Sequence, residues 1–267
     1  MNLHEPSSDK SRWRELYFEH RIRIRAVLSV IGGFALWEIL ARTVLTNRLV
    51  IVPFSTVLST IWALARTGEL WKNVYVSLIE FLLGFSLAAL AGIFLGFLTG
   101  TSIRAREYLD PLVAALYATP LVALIPFYIL VFGIQLASKV ALVFTIAVFP
   151  IVINTQAGIL SVDRNLLEVA SSFRASRWQI FFKVQLPAAI PFIISGLRLG
   201  VGRALTGVVV AEFFFATAGL GFMISIASQN FDTARVLLGV FIFSLAGVAA
   251  IGLLQSIEKR MAPWRLS

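Results

Sequence analysis

The 267-residue chain contains no cysteine. Disulfides, thiolate nucleophiles, zinc knuckles and iron–sulfur ligation are thereby excluded together. Histidine is nearly as scarce: His4 and His20 both stand in the polar amino-terminal segment. The apolar body therefore has no imidazole for a catalytic dyad, an H-E-x-x-H zinc site or haem. A phosphate-cradling G-x-x-x-x-G-K-[ST] loop is missing too, since none of Lys10, Lys72, Lys139, Lys183 and Lys259 follows a glycine. Charge is sparse, at 14% of residues, against roughly 25% in a soluble domain.

What fills the chain is apolar: 58% of residues are hydrophobic and the mean hydropathy is +0.87. A water-facing globule has no interior large enough to hide that surface, so the chain reads as an integral membrane protein. The net charge of +9 then speaks of topology rather than of a nucleic-acid partner. Continuous apolar runs fall at about 26–45, 77–99, 109–132, 139–159, 190–214 and 234–255. Each is about 20 residues or longer, the length of a membrane helix, and none alternates with the period of a barrel strand. A signal peptide would carry a shorter apolar stretch behind Arg21, Arg23 and Arg25, so 26–45 is expected as a retained span. The expected architecture is an all-α polytopic protein of about six transmembrane helices.

Of the 23 Lys and Arg, fifteen lie in four segments: the tail 1–25, the loop 100–108, the segment 160–189 and the carboxyl end. Five lie in the intervening segments, with Lys139 and Arg235 among them. This bias predicts that both termini and the segment 160–189 are cytoplasmic. On the other side, 55–73 is expected as a short amphipathic interfacial helix built on Val57, Leu58, Ile61, Trp62, Leu64 and Ala65. The stretch 217–233, with Gly219 and Gly221, reads as a re-entrant or surface loop.

Small residues recur every fourth position in the second span, at Gly84, Ala88, Gly92, Gly96 and Gly100, and again in the fifth at Gly196, Gly200 and Ala204. Such ladders open a helix face to close packing in lipid. Pro111, Pro120, Pro126 and Pro150 interrupt the third and fourth spans and predict kinks or helix ends there. Ionisable residues within spans are costly and need partners. Glu38 and Arg42, one turn apart, are expected to pair; Arg198 and Arg203 are expected to snorkel to headgroups; Glu212 has no partner in its own helix and is a candidate for a functional or inter-helix role. Thr119, Asn154, Gln156 and Glu212 are the polar candidates for a pathway or gate.

The segment 160–189 is longer than a connection needs. Leu166, Val169, Ala170 and Phe173 share one helical face, and Trp178, Phe181 and Phe182 follow a break at Arg174, Ala175 and Ser176. Asp163 stands where an N-cap would, and Pro187 is expected to stop the pattern before the fifth span. Two short amphipathic helices across the membrane face result. They either rest on headgroups or receive a partner protein.

Glu168 and Ala170, followed by Leu186 and Pro187, stand at the spacing of the E-A-A…G…I-x-L-P motif of bacterial ABC-importer inner-membrane permeases, which the chain resembles. Val169, Arg174 and Val184 depart from that motif, Arg174 replacing its glycine. Either the turn there is helical, or the Arg174 side chain makes a polar contact that replaces close backbone approach. Trp37-Glu38, Leu109-Asp110-Pro111, Pro120…Pro126…Phe132-Gly133, Gly196-Leu197-Arg198 and Ala211-Glu212-Phe213 with Gly219-Leu220-Gly221 resemble the nitrate/sulfonate/taurine branch. The resemblance implies a permease domain over 26–255 in the bacterial inner membrane, with cytoplasmic tails 1–25 and 256–267. It implies a coupling-helix segment at 163–186, with Glu168, Ala170, Phe173, Arg174, Ala175, Leu186 and Pro187 contacting a cytoplasmic ATPase. ATP and Mg would be bound by that ATPase, an extracytoplasmic binding protein would deliver a small solute, and a second permease copy would complete a homodimer. The chain itself would be a non-catalytic transport subunit binding no cofactor or metal. A gradient-driven secondary transporter is the rival, but neither inverted repeats nor midplane carboxylates in number are present. An intramembrane enzyme would need a catalytic pair that the membrane segments lack.

Overall fold

The computed structural model describes residues 8–44 and 50–262. His4, Arg48, Arg265 and the side chains of Lys10, Arg12, Arg14, His20 and Arg23 lie outside the described residues. The described chain is helical throughout: α1 (Ser8–Thr43), α2 (Phe54–Thr67), α3 (Glu69–Thr101), α4 (Ile103–Ala118), α5 (Ile125–Phe132), α6 (Leu136–Leu160), α7 (Arg164–Ser172), α8 (Arg177–Ile180), α9 (Leu186–Phe215), α10 (Leu220–Gln229) and α11 (Thr233–Met261). The polar segment from Ser8 onward and the first apolar run are one helix.

The core is α6, flanked by α3 and α9. Glycine makes this possible: a methyl group at Gly84, Gly92, Gly96 or Gly100 of α3 would stand 2.5–2.8 Å from Val143, Ile151, Thr155 or Ile159 of α6. Backbone meets side chain with no gap, which is how helices associate in lipid. The same pairs run in rising order along both helices, so α3 and α6 are parallel. Gly196, Gly200 and Gly207 of α9 instead meet Asn154, Ile151 and Val143 in falling order, so α9 is antiparallel to α6.

That geometry settles the third span. Because α3 and α6 are parallel and level, the chain must recross the whole thickness between Thr101 and Leu136. It does so through α4 and α5, which are bent by 89° to one another. The expected span over 109–132 is thus a broken span. Thr119, preceding Pro120, is extended (φ −71°, ψ 137°), as the proline ring demands of its predecessor. Pro126 sits in the first turn of α5, where a missing N–H costs nothing. With this broken span and five continuous membrane-length helices, the expected count of six crossings stands.

Other expectations need revision. Pro187 does not stop a helix: α8, a π turn over Phe181–Gln185 and α9 form one rod, Arg177–Phe215. Widening the turn ahead of Pro187 relieves its ring of the clash with the preceding carbonyls. The stretch 217–233, expected as a re-entrant or surface loop, contains the ten-residue α10, an apolar helix shorter than a span. Arg198 does not simply snorkel; it pairs with Glu258 of α11. The expected Glu38–Arg42 pair is present at 2.6 Å. It does more than close on itself, because Glu38 also accepts hydrogen bonds from the Ser55 N–H (3.1 Å) and hydroxyl (2.8 Å), capping the start of the interfacial α2.

Candidate functional site

Two places concentrate chemistry, at opposite ends of the bundle. At the end where α3 and α6 finish, α7 and α8 form an outward-facing hairpin. Asp163 caps α7, its Oδ1 accepting from the Asn165 N–H at 2.9 Å. Ser176 and Gln179 cap α8 reciprocally, at 3.2 and 2.8 Å, the capping-box arrangement. Both helices are thus locally fixed while Leu166, Val169, Phe173 and Trp178 remain exposed, Phe173 by 83%. Glu168 and Arg174 are exposed, and Ala170, Ala175, Leu186 and Pro187 are half-buried. Such an ordered surface, with aromatic side chains held outward, suits either a partner protein or the lipid headgroups.

The break between the helices resolves the Arg174 question. Arg174 has φ +54°, so the turn is left-handed rather than helical. The Arg174 N–H donates to Ser171 O (2.9 Å) and the Ala175 N–H to Ala170 O (3.1 Å), closing α7 in a Schellman motif. An L-residue in that conformation costs about 1 kcal/mol relative to glycine. Arg174→Gly is therefore expected to slow hydrogen exchange at the Arg174 position and Ala175 amides by roughly fivefold. Unchanged exchange at both would remove the strain argument.

At the other end lies a buried polar cluster. Glu212 of α9 is fully buried; it accepts from the Ser77 hydroxyl at 2.6 Å and from the Gly221 N–H. Ser77 in turn accepts from the Leu220 N–H at 2.8 Å, and Asn73 from the Gly219 N–H at 2.9 Å. Three successive donors at the start of α10 are thus satisfied by side chains of α3 and α9. The carboxylate also lies at the positive end of a helix. Gly219 (φ +127°) leaves no room for a side chain, since a Cβ there would fall 2.1 Å from Glu212. Beside this cluster, Lys139 of α6 donates to Glu80 of α3 at 2.6 Å, both nearly inaccessible.

The four polar pathway candidates do not converge. Glu212 is sealed by α10 and holds it in place, so in this conformation it lines no open path. Asn154 donates to Pro150 O at 2.8 Å and packs against Gly196, roughly 24 Å along α9 from Glu212. Gln156 donates to Asp110 of α4 at 2.9 and 3.1 Å. Thr119 is exposed at the α4–α5 break. Sequence reasoning missed Asn73, Ser77 and Lys139, which no local spacing connects to Glu212 or Glu80.

A polytopic helical body with parallel α3 and α6, a broken third span and a capped hairpin before the fifth crossing is the fold of an importer permease. Residues 88–263 match the family described as binding-protein-dependent transport system inner membrane component, and the chain belongs to that family. It is a multi-pass protein of the bacterial inner membrane and a subunit of an ABC importer. It is 36% identical over 87% of its length to a Bacillus subtilis protein, SsuC, named for aliphatic sulfonates transport, covering 84% of that protein. It is 32% identical to the taurine transport system permease protein TauC of Escherichia coli, over 90% of each chain. Among solved structures, an amino acid ABC transporter chain aligns with TM-score 0.61 at 18% identity, covering 75% of this chain and 97% of that one; that likeness is one of fold.

Proposed function

We propose that this permease imports a small sulfonate-type anion, and that its α7–α8 hairpin is the contact through which a separate cytoplasmic ATPase drives it. In this reading the hairpin face is cytoplasmic, as the Lys and Arg distribution favours. The observation that carries the ATPase contact is the hairpin itself: capped at both helices, yet holding Phe173 exposed. Glu168, Ala170, Phe173, Arg174 and Ala175 form the contact, while Leu186 and Pro187 join it rigidly to the rod that crosses the membrane. ATP and Mg are bound and hydrolysed by the partner, and the chain performs no covalent chemistry.

The sulfonate class is supported by the names of the two relatives, one for aliphatic sulfonates and one for taurine. An extracytoplasmic binding protein delivers the solute to the α10 end. There a pocket of about 230 Å³ is lined by Lys72, Asn73, Asn230, Asp232 and Arg235 among others. A second copy of the chain completes the pathway.

Phe173→Ala is expected to weaken association with the cognate ATPase by about 2 kcal/mol, roughly thirtyfold, and to lower uptake in proportion. Glu168→Ala should uncouple ATP hydrolysis from uptake while membrane insertion is unchanged. Pull-down from detergent and uptake in proteoliposomes measure both. If both variants retain full association and full uptake, the coupling assignment fails.

A further inference from the structure

We propose that the groove between the end of α3 and the start of the α8–α9 rod is a binding site for a phospholipid with an anionic headgroup. The groove has a volume of about 630 Å³ and changes character along its length. One wall is Phe94, Phe97 and Leu98 of α3, with Phe97 5.3 Å from Phe181 of the rod; the end beside Thr101 carries Arg177 and Trp178, and Gln185 lies further along the rod, toward Phe94. Its position fixes what can enter. Gly96 and Gly100, on the opposite face of α3, are locked into α6, so Phe94 and Leu98 point away from the core. Both lie in the apolar run 77–99.

The polar end begins where that stretch finishes. Arg177 is exposed and makes no ion pair among the described residues. Lys183 is exposed six positions further along the same rod, and among the described residues no acidic side chain lines the groove. Apolar rings at acyl depth, an indole at the boundary and an unpaired guanidinium beyond it match a phospholipid read from chain to phosphate.

The site rests on the proposed orientation, in which the hairpin end faces the cytoplasm. It would make the coupling rod sensitive to lipid charge, because Arg177, Trp178 and Gln185 all belong to it. The test retains Trp178 as the sole tryptophan, with Trp13, Trp37, Trp62, Trp71 and Trp264 replaced by Phe. The protein is reconstituted without ATPase in phosphatidylcholine vesicles that contain equal fractions of acyl-brominated phosphatidylglycerol or acyl-brominated phosphatidylcholine. Quenching of Trp178 should be about twofold stronger from the brominated phosphatidylglycerol, and Arg177→Gln should abolish the difference. Equal quenching by both lipids overturns the headgroup assignment, and quenching by neither shows that protein fills the groove. Native mass spectrometry of the otherwise wild-type chain, with and without Arg177→Gln, guards against misfolding of the multiple variant: retained phosphatidylglycerol should fall with the substitution, and unchanged retention overturns the site. Failure of either measurement leaves ATPase association unaffected, and loss of the coupling assignment leaves the quenching unaffected, so the two readings fail separately.

Discussion

Lys139→Met is expected to destabilise the folded protein by about 3–5 kcal/mol. Lys139 Nζ lies 2.6 Å from Glu80 Oε1, with the two side chains 10% and 1% exposed. Among the described residues Glu80 Oε2 has no hydrogen-bond partner, so the ammonium is the main group compensating that carboxylate. Removing it leaves a buried carboxyl group unpaired between α3 and α6. Removing both members is a different matter. Glu80→Met with Lys139→Met deletes the pair together with its desolvation cost, and such replacements are often neutral. The double variant should therefore recover most of the loss, giving a coupling energy of about 2 kcal/mol or more. Unfolding of purified protein in mixed detergent and SDS micelles, followed by circular dichroism, measures all four corners of the cycle. A single variant as stable as the double would show that the pair holds no stranded charge.

How far these features were legible depends on how local their cause is. The Glu38–Arg42 pair was, because one helical turn separates its members; the Glu80–Lys139 pair was not, because 59 positions do. The small-residue ladder of α3 was legible, since its period alone puts Gly84, Gly92, Gly96 and Gly100 on one face, and that face is the one α6 occupies. The third span was legible as an apolar run and Pro120 as a kink, but the 89° bend required knowing that α3 and α6 are parallel. Residues 217–233 misled for a physical reason. Gly219 and Gly221 signal a loop, yet they open a helix whose caps come from Asn73, Ser77 and Glu212 more than a hundred residues away or on another element. The hairpin's caps were half legible: Asp163 could be placed from sequence, whereas the left-handed Arg174 could not, because its side chain disfavours the conformation it adopts.

Those remote caps set the second large effect. Gly219→Ala is expected to destabilise the protein by about 3–5 kcal/mol and to abolish uptake. Two penalties act at once. Alanine at φ +127° is strained by about 1–3 kcal/mol. Its Cβ would also lie 2.1 Å from Glu212 Oε1, so the carboxylate must leave its position. Displaced, Glu212 loses the Ser77 hydroxyl and the Gly221 N–H while still buried, a loss of about 1–3 kcal/mol for a buried polar group left unsatisfied. Because α10 is tied to α3 through Asn73 and Ser77 and to α9 through Glu212, its release removes a tie between those helices at that end of the bundle. Glu212→Gln separates the penalties: it keeps an acceptor for Ser77, introduces no backbone strain and turns one oxygen into a donor facing the Gly221 N–H. It should cost about 2 kcal/mol, less than Gly219→Ala. Thermal unfolding and proteoliposome uptake of the two variants decide the matter. If Gly219→Ala unfolds no more readily than wild type, α10 is not held by Glu212.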